Sequence, residues 1–264
     1  MQFQIISDLH LEYFDDLPNI NDLFTKSAPN IILGGDVCYF KHPNFEKFFN
    51  IISKMYNKIF FIPGNHDYYA HYEVPELSYE VIDFIMEKKL KKFKNVYFIQ
   101  NNFVELDNVI IAGTTLWCRT NKTLLNHPKT KLINNEFYIL FGQKFMPSLK
   151  KIAKINDIQY KWLSDFILQQ RHNNKKLIIV THYLPSKKCI HKKYEHDSFN
   201  DLYFTPCDHL FKYVNFWISG HTHNYCNFIS DKCNIIVNPI GDPFETTTYN
   251  KKLVIDISKN QAHL

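Results

Sequence analysis

The sequence predicts an α/β fold with a mixed strand order. Short apolar runs rich in Ile, Val and Phe recur along the 264 residues, and each runs into a turn carrying polar side chains. Runs of that length and composition fit strands buried on both faces of a sheet. Between some of them the apolar residues recur at helical spacing instead. No repeat period, low-complexity tract or linker interrupts the chain, so one domain over 1–264 is expected, a size that can bury a large core.

Taken in order, QFQIIS leads into Asp8 and His10, IILGG into Asp36, and KIFFIPG into Asn65 and His66. Pro75 can open a helix at its first turn, with Leu77, Val81, Phe84 and Ile85 on one face. NVYFIQ, NFVEL and NVIIAGTTLW read as consecutive strands. Residues 119–148 are the least regular and read as a loop-rich insertion or lid with short helices. Ile155, Ile158, Trp162 and Phe166 make a second helical stripe, ended by the Asn173-Asn174 break. KKLIIV then leads into Thr181 and His182, NFWISG into His221 and His223, and CNIIVNP and KKLVIDIS read as two more strands.

Composition narrows the classes of function. No stretch approaches the run of about 18 apolar residues that suggests a membrane span, and MQFQIISDLH lacks the basic region and long apolar core of a secretory leader. Six cysteines show no CxxC pair, so reduced thiols in a cytoplasmic protein are expected, with Cys226 and Cys233 able to approach across a hairpin. A net charge of +5 without a strong basic stripe disfavours long nucleic acid as a ligand. Lys187, Lys188, Lys192 and Lys193 with His191 could attract a polyanion, but a solvated loop is the simpler reading.

The chemistry lies where the apolar runs stop. In open α/β sheets ligands bind outside the carboxyl ends of the strands, so five strand ends offering Asp, Asn and His converge if the strands share a sheet. Asp8-Leu9-His10 and His221-Thr222-His223 each place two donors at i and i+2, which point the same way in extended backbone. Oxygen and imidazole donors without a thiolate suit Mn, Fe, Zn or Mg. Two such ions about 3.5–4 Å apart can clamp a phosphoryl group and activate a water, and Asp36 is the candidate bridging carboxylate. Of only seven glycines, Gly34, Gly35, Gly64 and Gly220 stand just before these residues, where tight turns and close backbone approach are needed.

In order, DxH at 8–10, GGD at 34–36, GNHD at 64–67, His182 after an apolar run and GHTH at 220–223 resemble the calcineurin-like metallophosphoesterase superfamily. The resemblance implies a four-layer α/β/β/α sandwich with two mixed β-sheets and a dinuclear site. It implies that Asp8, His10, Asp36 and His223 hold one metal, and that Asp36, Asn65, His182 and His221 hold the other. Catalysis would involve His66, Asn65 and Asp36, with a metal-bridging hydroxide attacking phosphorus in line and His66 helping the leaving group depart. Manganese is the first expectation, with iron, zinc, nickel, cobalt and magnesium as alternatives. The substrate would be a small phosphomonoester, phosphodiester or nucleotide. A metal-dependent nuclease and a catalytically inactive scaffold are the rival readings. The Ser/Thr phosphoprotein branch carries GDxVDRG, whereas this chain has Gly35-Asp36-Val37-Cys38-Tyr39-Phe40, so the acid that orients the matching histidine is replaced by Tyr39. GNHD, GTTLWC and VTHYLPS look more like the small bacterial-type phosphohydrolases and phosphodiesterases. Tyr68, Tyr69 and His71 could line a pocket there, with a ring stacking on a base, or equally pack beneath a loop.

Overall fold

The apolar runs pair into two six-stranded sheets in a computed structural model that describes residues 1–68, 78–119, 149–259 and 261–263. The first sheet contains β1 (Gln2–Ile6), β2 (Asn30–Leu33), β3 (Lys58–Phe61), β4 (Val96–Phe98), β11 (Val254–Asp256) and β12 (Gln261–His263), in the order β12-β11-β1-β2-β3-β4. The second contains β5 (Asn102–Glu105), β6 (Val109–Thr114), β7 (Lys176–Thr181), β8 (Phe216–Ser219), β9 (Cys226–Ser230) and β10 (Cys233–Val237), in the order β5-β6-β7-β8-β10-β9. In the first sheet β1–β4 run parallel to one edge, with β11 and β12 joined antiparallel at the other; in the second, parallel β6, β7, β8 and β10 are flanked by antiparallel β5 and β9.

Both faces of these strands are apolar because both are covered. Phe3, Ile5, Ile32 and Phe60 of the first sheet meet Ile111, Ile178, Val180 and Ile218 of the second, so the sheets stack face to face. The helices are α1 (Ile20–Leu23), α2 (Pro43–Met55), α3 (Asn65–Tyr68), α4 (Tyr79–Leu90) and α5 (Leu149–Gln170). On the outer face of the first sheet, Ile31, Leu33 and Phe61 pack with α2 and α4. On the outer face of the second, Ile110, Leu177 and Ile179 pack with α5. The result is helix, sheet, sheet, helix.

The helix α2 escaped the sequence reading although its signals are present. His42 caps it by accepting from the Asn44 N–H, Pro43 occupies the first turn, and Phe45, Phe48, Phe49 and Ile52 form one fully buried stripe. Burying each such side chain contributes roughly 1.5–3 kcal/mol.

Two helical stripes were only partly placed: Ile85, Ile155, Trp162 and Phe166 do pack against the core, but other members of each stripe face solvent. In α4, Val81 and Phe84 are exposed, and Ile82, Met86 and Leu90 face the core; Pro75 and Leu77 lie outside the described residues. In α5, Ile158 is 67% exposed, while Ile152, Leu163, Phe166 and Ile167 are buried alongside Asn156 and Gln159. Those two polar residues hide the true stripe from a hydrophobicity pattern. They are tolerated inside because Asn156 Nδ2 donates to the Trp117 carbonyl and Thr205 Oγ1, and Gln159 Oε1 accepts from the Trp117 N–H.

The β9–β10 hairpin pairs Cys226 with Val237 and Cys233 with Ser230, which puts the two cysteines at opposite ends; all six cysteines are free thiols. The insertion expected over 119–148 lies outside the described residues from 120 onward. Among the described residues no helix is long and apolar enough to cross a membrane.

Candidate metal centre

Five strands stop at one edge of the sandwich, and the residues following them meet there. They do not share a sheet, as the sequence argument required. β1, β2 and β3 bring Asp8, Asp36 and Asn65 from the first sheet, and β7 and β8 bring His182 and His221 from the second. A backbone seam joins the two: Ser7 forms a parallel bridge to Pro239, Ser7 N–H donates to the Asn238 carbonyl (3.2 Å), and Gly241 N–H donates to the Asp8 carbonyl (2.9 Å). Side chains cross it as well. His221 N–H donates to Asp8 Oδ1 (2.8 Å), and His182 Nδ1 lies 2.9 Å from the Gly34 carbonyl.

Nor does extended backbone aim these side chains. Asp8, His10, Asp36, His221 and His223 have φ of 55°, 47°, 53°, 75° and 47°. Left-handed backbone at a non-glycine residue costs roughly 1–3 kcal/mol, and such strain persists where the surroundings over-determine it. One device that does so is Asp67, whose buried carboxylate accepts from the N–H groups of Asp36 (2.8 Å), Val37 (3.1 Å), Cys38 (2.9 Å) and Gly64 (2.7 Å). It clamps the loop after β2 to the loop after β3. A Cβ on Gly64 would collide with the Asp36 carboxylate and lie 2.5 Å from its backbone nitrogen, so this approach requires glycine.

The donor atoms form two neighbouring groups, Asp8 with His10 and His223, and Asp36 with His182 and His221. His10 Nε2 is 2.9 Å from His223 Nε2, and His223 Nε2 is 3.7 Å from Asp8 Oδ1. His182 Nε2 is 2.9 Å from Asn65 Oδ1 and 3.0 Å from Asp36 Oδ2. The same Asp36 oxygen is 3.9 Å from His10 Nε2, so this carboxylate stands between the groups. Ligands about 2.1 Å from one ion and at right angles to each other are about 3 Å apart, which is the spacing seen here. Asp8 Oδ2 is buried without a hydrogen-bond partner, a costly state that a cation would relieve. The residues therefore fit divalent cations.

The electrostatics agree with the geometry. Burial alone would raise the Asp36 carboxyl, but the charges of His182 and His66 outweigh it and hold it well below the usual range. Burial lowers His182, yet Asp36 drives it up to about 9. His221, buried and facing His182, is pushed well below the ordinary imidazole value. His66 donates its N–H to Asp36 Oδ1 (2.7 Å), and its ring sits edge-on to His10 with centroids 4.5 Å apart. Despite burial, Asp36 and Glu12 raise its pKa.

All eight sequence-derived residues thus gather at one place. Four acidic residues escaped that reading. Asp67 is the clamp, and Glu12 Oε1 lies 3.1 Å from both His10 Nδ1 and His66 Nδ1. Glu245 Oε2 accepts from His223 Nδ1 (2.5 Å), and Asp242 Oδ1 approaches His10 Nε2 to 3.7 Å. Asp242 and Glu245 follow the apolar run CNIIVNP, so the signal used at the other strand ends was present there too. Tyr68 is packed in the interior, and its hydroxyl donates to Asp83 (2.5 Å). Tyr69 and His71 lie outside the described residues. The 187–193 segment forms two short turns, with Lys188 paired to Asp208.

Known proteins are similar to this chain in sequence and fold. A family model described as calcineurin-like phosphoesterase matches residues 1–225. The protein L509 of Acanthamoeba polyphaga mimivirus is 33% identical over 278 residues, which cover 96% of this chain and 96% of its own. Among solved structures, the phosphopantetheinyl hydrolase of Mycobacterium tuberculosis superposes with a TM-score of 0.67 at 14% identity, covering 92% of this chain and 90% of its own. TT1561 of Thermus thermophilus superposes at 0.55 and 13% identity, covering 99% and 96%. At such identities the structural likeness is one of fold.

Proposed function

Because the chain belongs to the calcineurin-like phosphoesterases, a metal-dependent family, we propose that it hydrolyses a small phosphomonoester, phosphodiester or nucleotide at a dinuclear centre. The observation that carries this reading is the Asp36 carboxylate standing between two histidine groups drawn from two sheets. In it, Asp8, His10, Asp36 and His223 hold one cation, and Asp36, Asn65, His182 and His221 hold the other. Manganese comes first, since every donor is oxygen or imidazole nitrogen. When bound, such a pair neutralises phosphoryl oxygens and lowers the pKa of water.

The chain's own residues do the rest. Asp67 and Gly64 fix where Asp36 sits. Asn65 has its amide oxygen beside His182, and its side chain would stabilise a phosphoryl oxygen as charge builds there. His66, held by its backbone to Asp36, gives a proton to the departing oxygen. The six free thiols suit a reducing cytoplasmic compartment.

Metal analysis of the purified protein, followed by turnover of p-nitrophenyl phosphate and its bis-ester with Mn, Ni, Co, Zn and Mg, tests the reading. Asp36→Asn abolishes both activities; an Asp36→Asn variant as active as wild type sinks the bridging assignment. Small-ester turnover varies little with salt, whereas a steep salt dependence with oligonucleotides would favour the nuclease reading instead.

A further inference from the structure

We propose that Glu12 is the positioning residue of this centre, aligning His66 for proton donation and His10 for metal binding, in place of the acid replaced by Tyr39. The inference rests on the phosphoesterase reading and adds a residue to it. A single oxygen, Glu12 Oε1, is 3.1 Å from Nδ1 of each imidazole, although 54 residues separate Glu12 from His66. The side chain is only 5% exposed, so solvent competes little for these bonds.

Its turn is held as firmly as its carboxylate. Residues Leu11–Tyr13 form a single 3₁₀ turn directly after His10. Leu11 N–H donates to the Val37 carbonyl (3.1 Å), and the fully buried Asn44 donates through Nδ2 to the carbonyls of Leu11 (3.1 Å) and Phe14 (2.7 Å). Asn44 stands on α2, in the first-sheet layer that also supplies Asp36, so the turn is referenced to the same frame as the site.

The chemistry follows from the two ring nitrogens. A carboxylate that accepts from Nδ1–H keeps the proton there and leaves Nε2 of His10 as a ligand, the arrangement that orients metal-bound imidazoles. For His66 the same bond holds Nδ1–H and stabilises the imidazolium, whose Nε2–H is the proton to be given. As water attacks phosphorus and the bond to the leaving oxygen breaks, that Nε2 proton passes to the leaving oxygen. The attacking water releases a proton to solvent, and solvent reprotonates His66. Because one carboxylate oxygen serves both rings, leaving-group departure and metal ligation share a support.

The test has two arms. In protein carrying ¹⁵N-labelled histidine, the Nδ1 protons of His10 and His66 give downfield signals sheltered from exchange. Both move upfield in Glu12→Gln and vanish in Glu12→Ala, whereas two unmoved signals in Glu12→Gln overturn the proposal. In the second arm, Glu12→Gln lowers kcat on the order of 100-fold for phenyl phosphate but about tenfold for p-nitrophenyl phosphate, whose leaving group needs little help. KM stays within about twofold of wild type. At saturating metal, where the His10 role is silent, His66→Asn repeats the pattern, and the double variant is no worse than His66→Asn alone. Equal losses on both esters would mean a merely structural role and overturn it. Failure of the phosphoesterase reading is distinct: loaded wild type then turns over neither ester, while the spectral arm still reports on Glu12.

Discussion

The two halves of the centre use the same imidazole chemistry but are supported differently. Around Asp36, Asn65, His182 and His221 the support is the fold itself. His182 is fully buried with Nδ1 against the Gly34 carbonyl, and His221 lies against the Tyr183 ring with centroids 3.9 Å apart. Around Asp8, His10 and His223 the support is a pair of side-chain carboxylates. Glu12 holds His10, and Glu245, which is 47% exposed, holds His223. A backbone carbonyl comes with the sheet and survives any substitution at its own position. A carboxylate can be removed one residue at a time, and it makes the ligand it holds more basic. The first half is therefore built in, and the second is adjustable.

The largest expected effect strikes the built-in half. Asp67→Ala leaves four backbone amides without their acceptor, and with 1–3 kcal/mol lost per unsatisfied buried group a destabilisation of about 3 kcal/mol or more follows. Urea denaturation of wild type and variant measures it; a change below about 1 kcal/mol would mean that the clamp is dispensable. Gly64→Ala comes next, costing about 1–3 kcal/mol through the clash with Asp36. It also lowers bound metal, read by elemental analysis after gel filtration.

In the adjustable half the effects are graded. If the proposed pair of ions is right, Glu245→Ala weakens the one held by Asp8, His10, Asp36 and His223 about tenfold and leaves the other in place. A chelator titration followed by metal analysis then shows one ion lost early and one late. Simultaneous loss of both would erase the distinction between the halves.

The smallest effect contrasts two buried carboxyls. Glu12 is drawn down to about 2, because its histidines overcome the burial that would raise it. Among the described residues no cation forms a salt bridge with Asp83, and burial pushes it up to about 7 in spite of the Tyr68 hydrogen bond. A carboxyl whose folded pKa lies above its unfolded value holds its proton longer in the folded state. Its stability contribution is therefore greatest below about pH 4 and declines as pH rises toward 7. Asp83→Asn should flatten that decline by about 1–2 kcal/mol, seen in denaturation midpoints collected in chelator between pH 4 and 8. A variant with the wild-type slope would show that Asp83 titrates normally.

Much of the centre was readable because its signals are local. A run of Ile, Val and Phe ending in Gly and then Asp, Asn or His states both a buried strand and a donor at its end, as at Asp36 and Asn65. The same logic went unused at Asp242 and Glu245, although the pattern was there. Glu12 continues the Asp8-Leu9-His10 spacing by one more step, but nothing near it in the chain reveals its second partner, because His66 lies on another strand's loop. The buried polar positions of α5 were missed for a related reason, since nothing near Asn156 or Gln159 in the chain reveals that Trp117 will satisfy them.

The chain on its own settled which residue types could bind metal, their order, and the strands that present them, because donor chemistry and strand burial are properties of a few consecutive residues. Folding settled the rest. It drew the five strand ends from two sheets and bent five donors into left-handed backbone. It also set one glutamate between two histidines. Each of these depends on distances between segments remote in sequence, which packing alone brings within about 3 Å.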